Sequence, residues 1–335
     1  MLEANTLPIP FGWYAVAFSA DLKVGEVKPI KYFGKDMVLF RTESGAAQVI
    51  DAFCPHLGAH LGYGGKVHGE SIACPFHGWE FNGGGQCTKV PYAKNMPPKV
   101  AGNKQSIYAY PVVERNQAIF AWYHPDRSEP TYEVEVLPEY NSDAWVITAR
   151  RTWVMNTTVQ ETAENPVDAA HFIYVHGSVG MPTGESVFTG VQRSSTYDAQ
   201  VPMISPDGQF DISGGTQTLH LHTVQQGPGF TFQRFSGALN VVLMGLPTPI
   251  SATQMQLDFA FVEPKNLNEG ERFLVEFTKA EVSRQVENDI PIWEHKRYLE
   301  TPMLCDGDGP IHQYRKWFRQ FYQRGTLPDN LLAVG

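Results

Sequence analysis

A chain of 335 residues exceeds the roughly 100 to 200 of a single domain and predicts two, and 42% apolar against 18% charged residues excludes an intrinsically disordered chain. Its net charge of −9, from 26 basic and 35 acidic residues, offers phosphate backbones no overall attraction, so nucleic acid is not an expected partner. No apolar run reaches the ~18 residues that span a bilayer, Met1 to Pro10 carry no signal-peptide pattern, and four scattered cysteines (Cys54, Cys74, Cys87, Cys305) suit a reducing compartment, which makes the cytoplasm the expected location.

From Trp13 to about Trp122 the sequence reads as short β-runs, among them Met37–Arg41, Ala47–Ile50 and Ala118–Trp122, separated by glycine-rich turns at Gly62–Gly65 and Gly83–Gly85. A small all-β domain is expected there. Two of its loops combine a cysteine with a histidine. One residue separates Cys54 from His56, 17 residues follow, and two residues separate Cys74 from His77. Two thiolates and two imidazoles can hold a tetrahedral zinc ion. Zinc fingers, however, pair cysteine with cysteine and histidine with histidine. Loops that each mix the two types, set among glycines, suit a [2Fe–2S] cluster with both cysteines on one iron and both histidines on the other. Cys87 lies outside this pattern and reads as a small buried hydrophobe.

The polar segment Pro125–Pro130 interrupts the strand pattern and sets an expected boundary, with domains at 1–125 and 126–335. Beyond it come a helical candidate over Val159–His176, a loop containing GSVGMPTGESVF, a segment SSTYDAQVPMISPDGQF, a strand-rich stretch over Phe210–Val262, and a long helical region over Glu271–Gln323. Alternation in Thr216–His222 and Ser251–Val262 predicts antiparallel strands. These are a candidate pocket wall with Phe230, Phe232, Val241, Leu243 and Met244, residues for which plain core is the commoner fate. The expected class is therefore α+β, an all-β N-terminal domain followed by a C-terminal domain of antiparallel sheet and helices.

Within ETAENPVDAAHFIYVHG, Asp168 and His171 are spaced to share a helical face, with Asn165 one turn earlier. His176 is off that face, so the helix must distort or end, and Gly177 and Gly180 are suited to ending it. Two histidines and one carboxylate make the facial triad that leaves positions open on Fe(II). Asp168 and the distant Asp289 are both candidates for the carboxylate. Helical spacing puts Val286, Ile292 and Trp293 beside Asp289, where they would line the space next to a metal. His60, His68, His124, His220, His222, His295 and His312 join no convergent pattern.

The C-x-H and C-x-x-H pair resembles the Rieske family, and with D-x-x-H-x-x-x-x-H it resembles the Rieske non-haem iron oxygenases. The opening FGWYAVAFSADLKVGEVKPIKYFG, the run WEHKRY and the tail LCDGDGPIHQYRKWFRQFY are similar to the 3-ketosteroid 9α-hydroxylase oxygenase group. The resemblance implies that Cys54 and Cys74 hold the buried iron of the cluster and His56 and His77 the outer one. It implies His171, His176 and Asp289 as ligands of a mononuclear Fe(II). Asp168 becomes a bridging carboxylate that hydrogen-bonds His171 and the His77 of a neighbouring subunit, and Asn165 is a catalytic candidate with it. Since the family's two metal centres are far apart within one subunit, a head-to-tail homotrimer is implied. So are a flat steroid-like substrate, hydroxylation by dioxygen, and electrons from NAD(P)H through a separate ferredoxin-type reductase. The competing readings are a Rieske demethylase or aromatic-ring hydroxylating oxygenase, a pure electron-transfer Rieske protein, and a zinc-stabilised binding module.

Overall fold

Short apolar runs broken by glycine turns build small sheets, and the first third of the chain forms three of them. The computed structural model, which describes residues 7–177, 184–204 and 210–323, gives β1 (Gly12–Phe18), β2 (Val27–Tyr32), β3 (Lys35–Arg41), β4 (Ala47–Asp51), β5 (Lys66–His68), β6 (Ser71–Ala73), β7 (Glu80–Asn82), β8 (Cys87–Lys89), β9 (Ala109–Tyr110), β10 (Val112–Arg115) and β11 (Ala118–Tyr123). They pair in the orders β1-β11-β10, β2-β3-β4-β9 and β5-β6-β7-β8. Cys54, Cys74 and Cys87 all lie in one core, among Val38, Phe40, Leu61 and Phe81.

This unit runs from Trp13 to Val134, past the expected boundary at 125. Hydrogen bonds explain the difference. The Trp122 indole donates to the Ser128 carbonyl and the Trp13 indole to the Tyr132 carbonyl, both at 2.8 Å, and Arg115 donates to the Val134 carbonyl at 2.6 Å. The polar segment thus lies against its own sheet. The residues before Trp13 belong instead with those from Glu135 onward, and Phe11 N–H donates to the Phe321 carbonyl at 2.7 Å.

The second unit is built on one seven-stranded antiparallel sheet: β12 (Trp145–Met155), β13 (Ser186–Thr189), β14 (Gln192–Ile204), β15 (Phe210–Gln226), β16 (Phe230–Gly237), β17 (Val241–Pro249) and β18 (Met255–Pro264), in the order β12-β18-β17-β16-β15-β14-β13. The α+β class holds. Three strands lie where none was expected: β12, β13 at the end of the expected loop, and β14 in the segment after it. Gly180 and the other residues of 178–183 and 205–209 lie outside the described residues.

The helical expectations are also corrected. Val159–His176 is not one helix but α1 (Val159–Glu164), a 3₁₀ turn over Asn165–Val167, and α2 (His171–Tyr174). Glu271–Gln323 splits into α3 (Glu269–His295) and α4 (Ile311–Phe318). Pro302, Gly307, Gly309 and Pro310 lie in the gap and disfavour helix. Helix α3 starts at a capping box in which the Asn268 side chain accepts from Glu271 N–H while the Glu271 carboxylate accepts from Asn268 N–H. Two anchors fix α3. Toward its start, the buried Lys279 ammonium reaches Glu263 of β18 at 2.5 Å and Thr148 of β12 at 2.6 Å. Near its end, Glu294 accepts from the Asn156 backbone at 2.8 Å.

Candidate metal centres

The two cysteine–histidine loops close in the same way. Cys54 N–H donates to the Ala59 carbonyl and Gly58 N–H to the Cys54 carbonyl, both at 2.9 Å; Cys74 N–H donates to Trp79 at 2.8 Å and Gly78 N–H to Cys74 at 3.0 Å. Each is a cysteine–proline turn sealed by a glycine at positive φ, +76° for Gly58 and +70° for Gly78, a conformation other residues adopt at a cost. The sealed turns hold both thiols inward and both imidazoles half-exposed. The His56 and His77 rings are 4.8 Å apart at 70°.

Burial pushes the Cys54 thiol up to about 11, and the adjacent Cys74 thiol adds to the rise. The Cys54 thiol therefore resists ionising unless a cation joins it. A single tetrahedral ion would draw four donors within roughly 4 Å of one another. Among the described residues, only His171, His176 and Asp289 form a group of three or more donors within 4.8 Å. Cys54, His56, Cys74 and His77 thus set two buried thiols beside two half-exposed imidazoles, a donor set that fits a cluster with thiolates at one end and imidazoles at the other.

The second centre is assembled by helix ends. Thr158 caps α1 by accepting from Glu161 N–H at 3.3 Å, and Pro166 stops the helix at Asn165. Asp168 then turns extended, and its Oδ1 accepts from Ala170 N–H at 3.2 Å and His171 N–H at 3.3 Å. These bonds start α2 in the manner of an N-cap. Gly177, at φ +72°, ends the turn by donating to Ile173 at 3.0 Å. The expectation that a break would bring His176 round to His171 is met, with rings 5.1 Å apart at 81°.

Asp289 arrives from α3, 5% exposed. Its Oδ1 is 3.4 Å from His176 Nε2. The Asn165 amide stands between the others, donating to Asp289 Oδ2 at 3.0 Å and lying 3.0 Å from His171 Nε2. His171 Nδ1 is 2.6 Å from the Asp168 carbonyl, an acceptor only, so the proton sits on Nδ1 and the Nε2 lone pair points into the group. Burial lowers the pKa of both imidazoles and raises that of Asp289 to about 7. Neutral imidazoles and a buried carboxylate with only an amide between them form a donor set that a divalent cation satisfies.

Asp168 departs from the expected contact. Its carbonyl, not its carboxylate, takes the His171 ring N–H; the carboxylate is 4.0 Å from that nitrogen and 38% exposed. Of the residues expected to line the space, Val286 and Trp293 are buried, whereas Ile292 is 47% exposed. At 100° per residue, Val286 and Trp293 fall on one side of Asp289 and Ile292 on the other. Phe230, Phe232, Val241, Leu243 and Met244 are all buried, and Val241 and Leu243 pack with Leu274 and Val275 of α3 as plain core. His220 pairs with Asp198 at 2.7 Å.

Sequence reasoning passed over the supports of this centre. Buried Glu164 receives a bidentate pair of bonds from Arg315 of α4 at 2.9 and 2.8 Å, and buried Glu161 meets Lys296 at 2.5 Å. Glu161 and Glu164 stand immediately before Asn165, but their partners lie more than 130 residues away.

The chain matches the family model of the Rieske [2Fe-2S] domain over residues 12–110 and that of the 3-ketosteroid 9alpha-hydroxylase C-terminal domain over residues 121–322. It is similar to a 3-ketosteroid-9-alpha-monooxygenase oxygenase component of Rhodococcus rhodochrous, at 33% identity covering 96% of this chain and 86% of that protein. It is 31% identical to a cholesterol 7-desaturase of Xenopus laevis, covering 95% and 72%. Among solved structures, dicamba monooxygenase bound to 3,6-dichlorosalicylic acid shares the fold at a TM-score of 0.72 and 17% identity, covering 95% of this chain and 98% of that one. NdmA of Pseudomonas putida with caffeine shares it at 0.67 and 18%, covering 92% and 89%.

Proposed function

The chain belongs to the Rieske non-haem iron oxygenases, with a C-terminal half of the 3-ketosteroid 9α-hydroxylase type, and from that premise we propose that it is an oxygenase component acting with dioxygen on a steroid or similarly flat, apolar polycyclic molecule. The observation that carries the reading is the convergence of His171, His176 and Asp289 in a unit separate from the cluster loops. An electron-transfer Rieske protein has no use for a second donor group. A [2Fe–2S] cluster and a mononuclear iron are the family's cofactors, and in this reading Cys54, His56, Cys74 and His77 hold the first and His171, His176 and Asp289 the second. Iron held at the second site would supply the activation of dioxygen, and a cluster held by the first would supply it with electrons from a separate reductase.

The chain's own residues orient and insulate. The Asp168 carbonyl fixes the His171 tautomer, Asn165 steadies Asp289, and Glu164 with Arg315 anchors the helix that delivers Asn165. Because the carbonyl satisfies His171, the half-exposed Asp168 carboxylate is available to His77 of a second copy, which supports the head-to-tail trimer and the inter-subunit bridge. Asp168→Ala is then expected to keep three irons per chain and lose turnover about 10- to 100-fold or more. Loss of the mononuclear iron in that variant would instead make Asp168 a ligand.

Oxygen uptake with a panel of steroids, aromatic acids and methylated amines tests the substrate class. Uptake confined to the smaller compounds would overturn the steroid reading. Relatives named as a monooxygenase component and as a 7-desaturase make product mass informative: gain of one oxygen marks hydroxylation and loss of two hydrogens marks desaturation. The reading places the protein in the cytoplasm; no helix among the described residues is long and apolar enough to cross a membrane.

A further inference from the structure

From Phe81 to Val113 the chain carries four lysines, Lys89, Lys94, Lys99 and Lys104, and no carboxylate side chain. All four are exposed. Lys89 is paired with Glu80 at 3.2 Å, and Lys104 reaches the Pro98 carbonyl at 3.4 Å. Lys94 and Lys99 form no ion pair among the described residues. The unit Trp13–Val134 holds 12 basic and 11 acidic residues, whereas the rest of the chain holds 14 and 24. Unneutralised positive charge therefore gathers on one segment of a protein that is acidic elsewhere.

That segment is fastened to the cluster loops. Met96 packs against, and Val100 belongs to, the core that contains Cys54 and Cys74. Tyr92 is 61% exposed, and its hydroxyl accepts the Trp79 indole N–H at 2.8 Å. The Trp79 ring lies flat on His56, centroids 4.6 Å apart and planes 7° from parallel. His56, Trp79 and Tyr92 thus make an unbroken line of aromatic groups from a cluster ligand to the surface, two residues before Lys94.

We infer that the segment Tyr92–Lys104 is the docking surface for the electron donor, an iron–sulfur protein with an acidic face, and that Tyr92 and Trp79 mark where its electron enters. The inference deepens the reading of the chain as an oxygenase component and rests on it. One electron leaves the donor's reduced centre, oxidising it, and reduces the oxidised cluster; no bond forms or breaks. A donor that must leave after each delivery needs fast encounter and a small interface. Lysines within a Debye length, about 8 Å at physiological salt, supply steering of 10- to 1,000-fold in encounter rate, and one exposed aromatic ring supplies contact without a large apolar face.

Stopped-flow mixing of the iron-loaded chain with a pre-reduced, acidic plant-type [2Fe–2S] ferredoxin, followed by the cluster's visible absorption, tests this. The double variant Lys94→Glu/Lys99→Glu is expected to slow second-order reduction at least tenfold at low ionic strength and to abolish its decline with added salt. At high ionic strength, where surface charge is screened, dithionite, which needs no docking surface, should reduce wild type and variant at the same rate. Tyr92→Leu should lower the limiting rate at saturating ferredoxin while leaving the salt dependence of the second-order rate intact. Equal ferredoxin rates and salt slopes in wild type and double variant would overturn the docking surface. A wild-type chain without a histidine-ligated cluster spectrum would overturn the oxygenase reading itself, so the two failures are distinguishable.

Discussion

The two metal centres are folded by opposite strategies. The cysteine–histidine site comes from two turns within residues 54–79, each closed by its own backbone hydrogen bonds and a glycine. The second site draws Asn165, His171 and His176 from a broken helix and Asp289 from another more than 110 residues on. Its shape depends on pairings between distant segments, among them Glu164 with Arg315 and Glu263 with Lys279. The lesson is that the first site should survive injuries elsewhere in the chain, whereas the second should register them.

The sharpest way to break that contrast is metal content. Cys74→Ser should remove the cluster's two irons and its visible absorption, while Asp289→Ala should remove the single mononuclear iron and turnover and leave the cluster spectrum intact. Iron analysis beside electron-spin resonance reads both, and loss of all metal in either variant would show that the centres are not independent. Next in size is Arg315→Met, which strands Glu164 in the interior. Removing one partner of a buried pair costs about 3–5 kcal/mol, so denaturant unfolding should shift by that amount and mononuclear iron should be retained poorly, with the cluster unaffected.

A pH series on protein stripped of the mononuclear iron gives a middle-sized effect. Asp289, raised to about 7 by burial, keeps a proton in the folded state that the unfolded chain has released above about pH 4. Its contribution therefore falls as pH rises from about 4 to 7, by about 2 to 4 kcal/mol. Asp289→Asn should remove this decline in urea unfolding, and an unchanged slope would mean the carboxylate is solvated. Smallest is Gly58→Ala. A Cβ there meets no atom within 4 Å, so only the left-handed backbone is penalised, by roughly 1 to 2 kcal/mol. The drop should appear in cluster retention on dilution into chelator, without change in mononuclear iron.

The same contrast governs what could be read before the fold was known. Cysteine, histidine, proline and glycine sit within five residues of each other in each cluster loop, so ligand chemistry and turn chemistry are written together. The end of the broken helix was legible for the same reason, since Gly177 directly follows its last ligand, whereas the break that Pro166 makes before Asp168 was not read. Asp289 was open to two assignments because nothing within a helical turn of it distinguishes a ligand from a solvated carboxylate. Strands β12 and β14 were hidden by their polarity: Arg150 and Arg151 in the first, and Gln192, Arg193, Ser194, Ser195 and Thr196 in the second, mask the alternation that marks a half-buried strand. Arg193 is 1% exposed, an arginine used as core. Ile292 was misplaced because spacing alone does not say which flank of a ligand faces inward.

Helix α3 rewards a mechanical description. Lys279 fastens it to the sheet ten residues before Asp289, about 15 Å along the axis, and Glu294 fastens it five residues after. The carboxylate thus rides on a beam supported at both ends, not on a cantilever. Pro291 lies between the carboxylate and the far support, and with no N–H to give it leaves the carbonyl one turn back without its usual rung. Strain reaching this span from either end will be taken up as a bend at Pro291, so Asp289 shifts by tilting about that point and not by sliding along the axis.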